Sequence, residues 1–270
     1  MQKLFSIESI KTFNSNTFRT VIALHLLFFV LVVLGISRVN FSTGSFSIGQ
    51  LYEFPNVWGF FSWIASWFNI LLSVLIIVIV SNEFRYKTFR QHFINGLTIG
   101  ELLTGKIITL FYIAFYALLL VIVSSLVSGF ISTPEPSLKD ILASSGIVFV
   151  YFIQAVSYMS FGLLIAVIFR SNALSIIVFF LYLFPGEVIL RKWLFPSLEN
   201  FFPVKIISNL TPLPDLIGDR VHQAQNMTQG LQGTQIADDS ISQPMIMLIA
   251  VGYFILFSGI SYLVLKSRSI

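Results

Sequence analysis

A long apolar run, WIASWFNILLSVLIIVIV (residues 63–80), leads directly into the charged stretch SNEFRYKTFRQHFING (residues 81–96). Hydrophobic residues make up 56% of the chain and charged residues only 10%, so apolar runs of this kind dominate the sequence. They are too long for a soluble core and match the hydrocarbon thickness of a bilayer. Because a lipid-embedded segment must satisfy its own backbone hydrogen bonds, the sequence predicts an all-α integral membrane protein.

Six apolar segments approach the roughly 20 residues that a helix needs to cross a hydrocarbon core about 30 Å thick. Within one transmembrane domain that covers residues 1–270, we expect them near residues 18–37, 57–81, 107–130, 141–169, 173–190 and 245–265. The fifth segment contains Pro185-Gly186, which should break its helix before the outer membrane surface. The prediction is a bundle of six transmembrane helices.

The basic residues indicate which way this bundle faces. If the N-terminus is cytoplasmic, the inner segments hold ten bases and three acids, while the longer outer segments hold six bases and nine acids. Lys and Arg concentrate on the cytoplasmic side of membrane proteins. We therefore expect both termini in the cytoplasm. The same distribution accounts for the net charge of +4, so nucleic acid is not an expected partner.

The largest segment between predicted spans is the outer loop 191–244, between the fifth and sixth helices. Its first half, which includes KWLFPSLENFFPVKIISNLTPLPD, is rich in aromatic residues and proline and has a composition suited to the membrane interface. Its second half is polar and rich in glutamine, which is typical of a solvated loop or a short helix.

Residues 84–95 are predicted to form a short amphipathic helix on the cytoplasmic side. On a helical wheel, one face carries Tyr86, Phe89, Phe93 and Leu97. Arg85 and Lys87 lie on the opposite side, Arg90 flanks the apolar stripe, and Gly96 is the expected stop. Such a helix can lie on an anionic leaflet or insert into a groove on a partner, although a simple basic membrane anchor is the commoner role of an isolated basic loop.

Three short stretches resemble the cytoplasmic coupling region of type-2 ABC exporter permeases: EFRYKTFR (residues 83–90), GL (96–97) and ELLTGK (101–106). The resemblance extends to the topology of six spans, cytoplasmic termini and an enlarged outer loop, whose short helices cap the exit path in that family. It implies that the helix 84–95 docks in a cleft on a separate ATPase subunit. The residues implied in this contact are Glu83, Phe84, Arg85, Tyr86, Lys87, Phe89, Arg90 and Phe93.

The resemblance also implies the composition and action of the complex. Two copies of this chain, expected as a homodimer in a bacterial inner membrane, would work with two ABC ATPase subunits that bind ATP and Mg. Closure of the ATPases would push the coupling helix, with Phe89 and Phe93 as the docking side chains, and displace the second and third spans. The alternative function is a non-transporting membrane scaffold whose basic helix recruits a cytoplasmic partner.

The chain carries no complete catalytic motif of its own. GELLTGKI (residues 100–107) resembles a phosphate-binding loop, but Ile107 replaces the Ser or Thr that would hold Mg²⁺, and no strand precedes it. H-E-x-x-H, G-x-S-x-G and cysteine are absent, and the three histidines fall at different predicted depths. We therefore expect no enzyme activity, metal site or cofactor in this chain.

Few polar side chains fall inside the predicted spans. His25, Asn69 and Gln154 either line a substrate path or hold helices together by hydrogen bonds, and the second role is the commoner one. Glu187, which follows Pro185-Gly186, either gates an exit, hydrogen-bonds the backbone freed by the broken helix, or reaches water. Because no charged residue lies near the middle of a span, the driving energy is expected to come from a partner.

Overall fold

The computed structural model describes residues 11–39, 42–43, 46–214 and 241–267, which form a bundle of long helices. Five helical segments are long and apolar enough to cross a membrane, and a bent pair of helices makes a sixth span if it is counted as one. The prediction of an all-α integral membrane protein is confirmed. In the described ranges, extended structure is limited to two two-residue strands, β1 (Ser42–Thr43) and β2 (Phe46–Ser47), which pair antiparallel.

The main helices of the described ranges are numbered in chain order. In order they are α1 (Asn16–Ser37), α2 (Asn56–Trp67), α3 (Asn69–Arg85), α4 (Thr88–Ile94), α5 (Ile99–Ser132), α6 (Leu138–Leu142), α7 (Ile147–Phe169), α8 (Asn172–Leu181), α9 (Glu187–Ile189), α10 (Pro203–Ser208) and α11 (Gln243–Ser267). Shorter 3-10 turns cover Ile48–Tyr52 and Pro196–Phe201, and π-helical turns cover Tyr182–Gly186 and Leu190–Leu194.

The two ends of the bundle carry different structures. At the basal end, α3 finishes, α4 follows, α5 begins, and α7 turns into α8. At the opposite, apical end lie α6, α10 and the start of α11. The first described residues and the end of α11 both belong to the basal end, since Lys11 pairs with Glu83 and Gly100 approaches the ring of Tyr262.

The second span is bent by 42° between α2 and α3, where a single helix over residues 57–81 was predicted. Neither proline nor glycine stands at this break. Serine hydroxyls donate to backbone carbonyl oxygens on both sides of it, Ser66 to Trp63 at 2.7 Å and Ser73 to Asn69 at 2.8 Å. Serine bonds of this kind bend helices, and they leave no periodic signal in the sequence.

The third span begins at Ile99 and not near residue 107 as predicted. A capping box explains the early start: the Thr98 hydroxyl accepts from the Glu101 amide, and the Glu101 carboxylate accepts from the Thr98 amide at 2.8 Å. The predicted cytoplasmic segment between the second and third spans is therefore shorter than the sequence indicated. Its helical part is α4 alone.

Pro185 does not end the fifth span, which continues to Leu194 and not only to residue 190. The backbone widens into the π-helical turn Tyr182–Gly186, which accommodates the proline ring and its missing N–H. Gly186 is required there, because a Cβ atom would lie 2.7 Å from the carbonyl oxygen of Leu181.

The helix α7 is the centre of the bundle and packs against α3, α11, α5 and α2. In the span that contains it, 78% of the apolar stretch is buried, compared with 17 to 33% in the other unbroken spans. Gly162 allows α3 to approach closely, since a Cβ atom there would lie 2.9 Å from the carbonyl oxygen of Ser73. The outer helices present their apolar sides outward, as expected of lipid-facing surfaces.

Candidate functional site

The predicted coupling helix 84–95 is interrupted, so its predicted bounds are wrong. Phe84 and Arg85 are the last residues of α3, Tyr86 and Lys87 form a turn, and α4 itself spans only Thr88–Ile94. Lys87 breaks the helix because its backbone is left-handed, with φ 58°. The turn is closed by the Thr88 hydroxyl, which donates to the carbonyl oxygen of Glu83 at 3.2 Å.

The end of α4 is built as its glycine predicted. Gly96 has φ 91°, its amide donates to the carbonyl oxygen of Phe93, and the Leu97 amide donates to that of His92. This pair of bonds is the Schellman arrangement that terminates helices. The chain then reaches α5 within a few residues, so α4 is a short rod attached at both ends to membrane spans.

Phe89 lies inside the protein and not on a docking surface. Its side chain is only 1% exposed and stacks on Phe84, with ring centroids 4.6 Å apart and an interplanar angle of 15°. The Lys106 ammonium lies 6.0 Å from the Phe89 ring centre. Because Phe89 is buried, the prediction that it contacts a partner is wrong. The prediction arose because a continuous helical wheel placed Phe89 on the same face as Phe93. It fastens α4 to α3 and α5.

Glu83 is also buried, with 2% exposure, which corrects its prediction as a partner contact. One of its carboxylate oxygens, Oε1, lies 2.5 Å from the ammonium nitrogens of both Lys11 and Lys106. Lys106 is buried to the same degree, while Lys11 is partly exposed. The ion pairs join the end of α3 to α5 and to the chain that precedes α1. Lys11, Glu83, Phe84, Phe89 and Lys106 are called the basal cluster below.

The turn between α7 and α8 reaches the same place. The Arg170 guanidinium lies 5.1 Å from the centre of the Phe84 ring. The Asn172 side chain donates to the Asn82 side-chain oxygen at 2.7 Å. The residues of the basal cluster belong to α3, α4, α5 and the chain before α1, and the cluster also contacts the turn that joins α7 to α8.

The outward side of this region is both basic and apolar. Tyr86 is 65% exposed, Ile94 is 72% exposed, and Phe93 is also exposed. Arg85, Lys87 and Arg90 are exposed beside them, and residues 84–96 contain no acid. We call this surface the basic face; it consists of Arg85, Tyr86, Lys87, Arg90, Phe93 and Ile94. Of the predicted contact residues, it retains Arg85, Tyr86, Lys87, Arg90 and Phe93.

Asn69 and Gln154 are brought together in the apical half of the bundle. The Asn69 amide nitrogen donates to the Gln154 side-chain oxygen at 3.2 Å, and the Gln154 nitrogen donates to the Ile207 carbonyl oxygen at 2.9 Å. The Thr211 hydroxyl donates to the same Gln154 oxygen at 3.0 Å. Both amides are buried and hold α3, α7 and α10 together, so the hydrogen-bonding interpretation accounts for them.

Glu187 does not reach water, since its side chain is 3% exposed. Its carboxylate accepts hydrogen bonds from the backbone amides of Val204, at 2.8 Å, and Lys205, at 2.7 Å. These amides belong to the first turn of α10, which has no other side-chain cap. Glu187 therefore caps a different helix and does not bond the backbone freed around Pro185.

His25 stands apart from these groups. Its ring is fully buried, with Nδ1 3.3 Å from the Tyr116 hydroxyl and the edges or faces of the Phe68 and Tyr116 rings against it. His222 lies outside the described residues. In the described part of the chain, no three His, Cys, Asp or Glu side chains are grouped so that they could hold a metal ion.

Sequence reasoning missed three members of this site: Lys11, Lys106 and Ile94. A buried carboxylate at the end of one predicted span and a lysine at the start of the next were a signal for an ion pair, because charges at membrane depth are usually paired. Ile94 was missed because the wheel assumed one unbroken helix and gave the apolar face to Tyr86, Phe89, Phe93 and Leu97 alone.

Comparison with known proteins gives one informative relative. No protein-family profile matches the chain. The uncharacterized membrane protein YdbK of Bacillus subtilis (strain 168) is 27% identical over 191 residues, covering 67% of this chain and 73% of that protein. This similarity and the apolar helices agree that the chain is a multi-pass membrane protein.

Proposed function

We propose that this chain is the membrane permease subunit of an ATP-driven exporter of the type-2 ABC class. It would span a bacterial inner membrane with both termini in the cytoplasm, pair with a second copy, and use two separate ATPase subunits that bind ATP and Mg. The support is the resemblance of residues 83–90 and 96–106 to the coupling region of that class, together with the excess of basic residues on the basal side.

The observation that carries this proposal is that α4 has one exposed side and one side buried against the membrane spans. Force applied to a surface helix reaches the membrane only if the helix is firmly packed against the spans. Phe89 supplies that packing through Phe84 on α3 and Lys106 on α5. A push on the basic face would therefore move both spans, and through Arg170 the turn between α7 and α8.

The exposed side chains of the basic face are the proposed docking residues. Tyr86, Phe93 and Ile94 would enter an apolar cleft on the ATPase, and Arg85, Lys87 and Arg90 would surround them as a polar rim. Because the basic face has no acid, the complementary ATPase surface should carry acidic side chains at its rim. Phe89 takes no part in this contact, and its role is to pack α4 against α3 and α5.

The test is co-expression and co-purification with the proposed ABC ATPase subunit. The double charge reversal R85E/R90E should remove the ATPase from the purified complex while the permease stays in the membrane, since it reverses the rim charges. The control is R38E/K139E, which reverses two exposed cations at the apical end. If R85E/R90E retains the ATPase as well as the control does, the docking role is wrong.

The scaffold alternative is separated by a second measurement, the rate of ATP hydrolysis by the partner. A scaffold would retain a cytoplasmic partner through the basic face, but ATP hydrolysis by that partner would not depend on the permease. An exporter predicts that ATP hydrolysis by the reconstituted complex changes when α4 is altered.

A further inference from the structure

The end of the fifth span and the chain that follows it carry an unusual concentration of exposed apolar side chains. Trp193 is 83% exposed, and four neighbours that are also exposed complete a surface that we call the aromatic shelf: Trp193, Leu194, Phe195, Leu198 and Phe201. The shelf begins in the π-helical turn Leu190–Leu194 and continues through the 3-10 turn Pro196–Phe201. In water, so large an apolar surface on one short segment would be unfavourable.

The aromatic shelf is held in a fixed position on the bundle. Glu187 caps α10 immediately after it, and the Tyr253 hydroxyl donates to the carbonyl oxygen of Phe201. The exposed side chains of the fifth span, including Phe184 and Val188, lead directly to Trp193. The shelf is therefore a continuation of a lipid-facing surface.

The charged residues next to the aromatic shelf exclude a position of the shelf in the hydrocarbon interior of the bilayer. Arg191 and Lys205 lie 3.6 and 3.4 Å from the same Glu199 oxygen, which neutralises this acid. Lys192 is exposed beside Trp193, so the local set holds three cations and one surface acid. Such a combination of exposed aromatic rings and cations suits the headgroup region, where rings lie at the boundary and cations meet lipid phosphates.

We infer that the aromatic shelf is embedded in the headgroup region of the bilayer and that Arg191, Lys192 and Lys205 bind anionic phospholipid headgroups there. The end of the fifth span and the segment just past it are then a membrane-surface element and not part of a water-exposed loop. This inference does not depend on the proposed transport function. It rests on a surface at the apical end, and it would apply to a membrane protein of any function that carries this surface.

The depth of Trp193 tests the inference directly. The full chain is reconstituted in vesicles of phosphatidylcholine and phosphatidylglycerol, and the fluorescence of W193F is subtracted from that of the unchanged protein. The Trp193 emission should be blue-shifted and quenched most by lipids brominated near the headgroup end of the acyl chains. The control is W67F, because Trp67 is exposed at the bend of the second span and should be quenched most by bromines near the chain ends.

The lipid preference is tested by replacing the charges. Brominated phosphatidylglycerol should quench Trp193 more than brominated phosphatidylcholine at equal mole fraction, and R191Q/K192Q/K205Q should abolish that difference while leaving the depth profile in place. Quenching by aqueous iodide without quenching by brominated lipid would overturn the inference, since the shelf would then face water. Protection from both quenchers would also overturn it, because protein would then cover the shelf.

Discussion

Two buried carboxylates hold the two ends of this bundle together in different ways. At the basal end, Glu83 meets the charged groups of Lys11 and Lys106, which come from other parts of the chain. At the apical end, Glu187 accepts two backbone amides from one short helix, α10. The first arrangement joins spans to one another, and the second holds a surface segment on the bundle. The comparison indicates that Glu83 ties separate parts of the chain together at the basal end, whereas Glu187 holds one short helix in place at the apical end.

The largest effect is expected from E83Q. The substitution removes the carboxylate that neutralises the buried Lys106, and loss of one partner from a buried ion pair costs about 3–5 kcal/mol. Thermal unfolding in detergent measures the loss. The double variant E83Q/K106M should recover most of the stability, because it removes the charge left behind by the first change. Equal destabilisation by the single and double variants would show that charge neutralisation is not what holds the basal cluster together.

The second prediction compares substitutions of two phenylalanines in α4. F89A removes a buried ring from the basal cluster and should destabilise the protein by about 3 kcal/mol. F93A removes an exposed ring and should change the stability by less than about 0.5 kcal/mol, while weakening the association with the ATPase. The two variants should therefore separate stability from docking. Similar melting temperatures for F89A and F93A would contradict the assignment of Phe89 to the interior.

A smaller effect is expected at the apical end from E187A. It removes the hydrogen bonds that the Val204 amide, the Lys205 amide and the Tyr182 hydroxyl donate to this carboxyl group, and should cost about 2 kcal/mol. The loss should be local: hydrogen exchange of the backbone amides in α10 should accelerate, while exchange in α4 stays unchanged. Faster exchange at both ends would mean that the two carboxylates are not independent.

The sequence predicts an all-α membrane protein, because its apolar runs have the length that the thickness of the bilayer requires. It does not predict the bend between α2 and α3, or the π-helical turn at Pro185, because both depend on backbone geometry that hydrophobicity does not report. The stop at Gly96 was predictable, since glycine has a direct conformational role there.

The sequence predicted a short basic helix over residues 84–95, and the structure has a shorter one, α4, while two of the expected surface residues are buried. Arg85, Arg90 and Phe93 are exposed as expected, but Phe89 and Glu83 face inward. A helical wheel describes one straight helix, and the left-handed backbone at Lys87 separates α3 from α4. The partners of Glu83 lie 72 and 23 residues away along the chain. The position of Lys106 at the start of the next predicted span was a signal for its ion pair, but nothing in the sequence indicated Lys11.

The central claim, that the outward side of α4 is the docking surface for an ATPase subunit, can be tested by cross-linking. The chain has no cysteine, so I94C introduces a single reactive thiol on the basic face. The control L138C places a thiol on a similarly exposed residue at the apical end. With a thiol-to-amine cross-linker and the co-expressed ATPase, the account predicts a permease–ATPase product for I94C and none for L138C. Ready labelling of I94C by a small thiol reagent without any cross-link to the ATPase would contradict it.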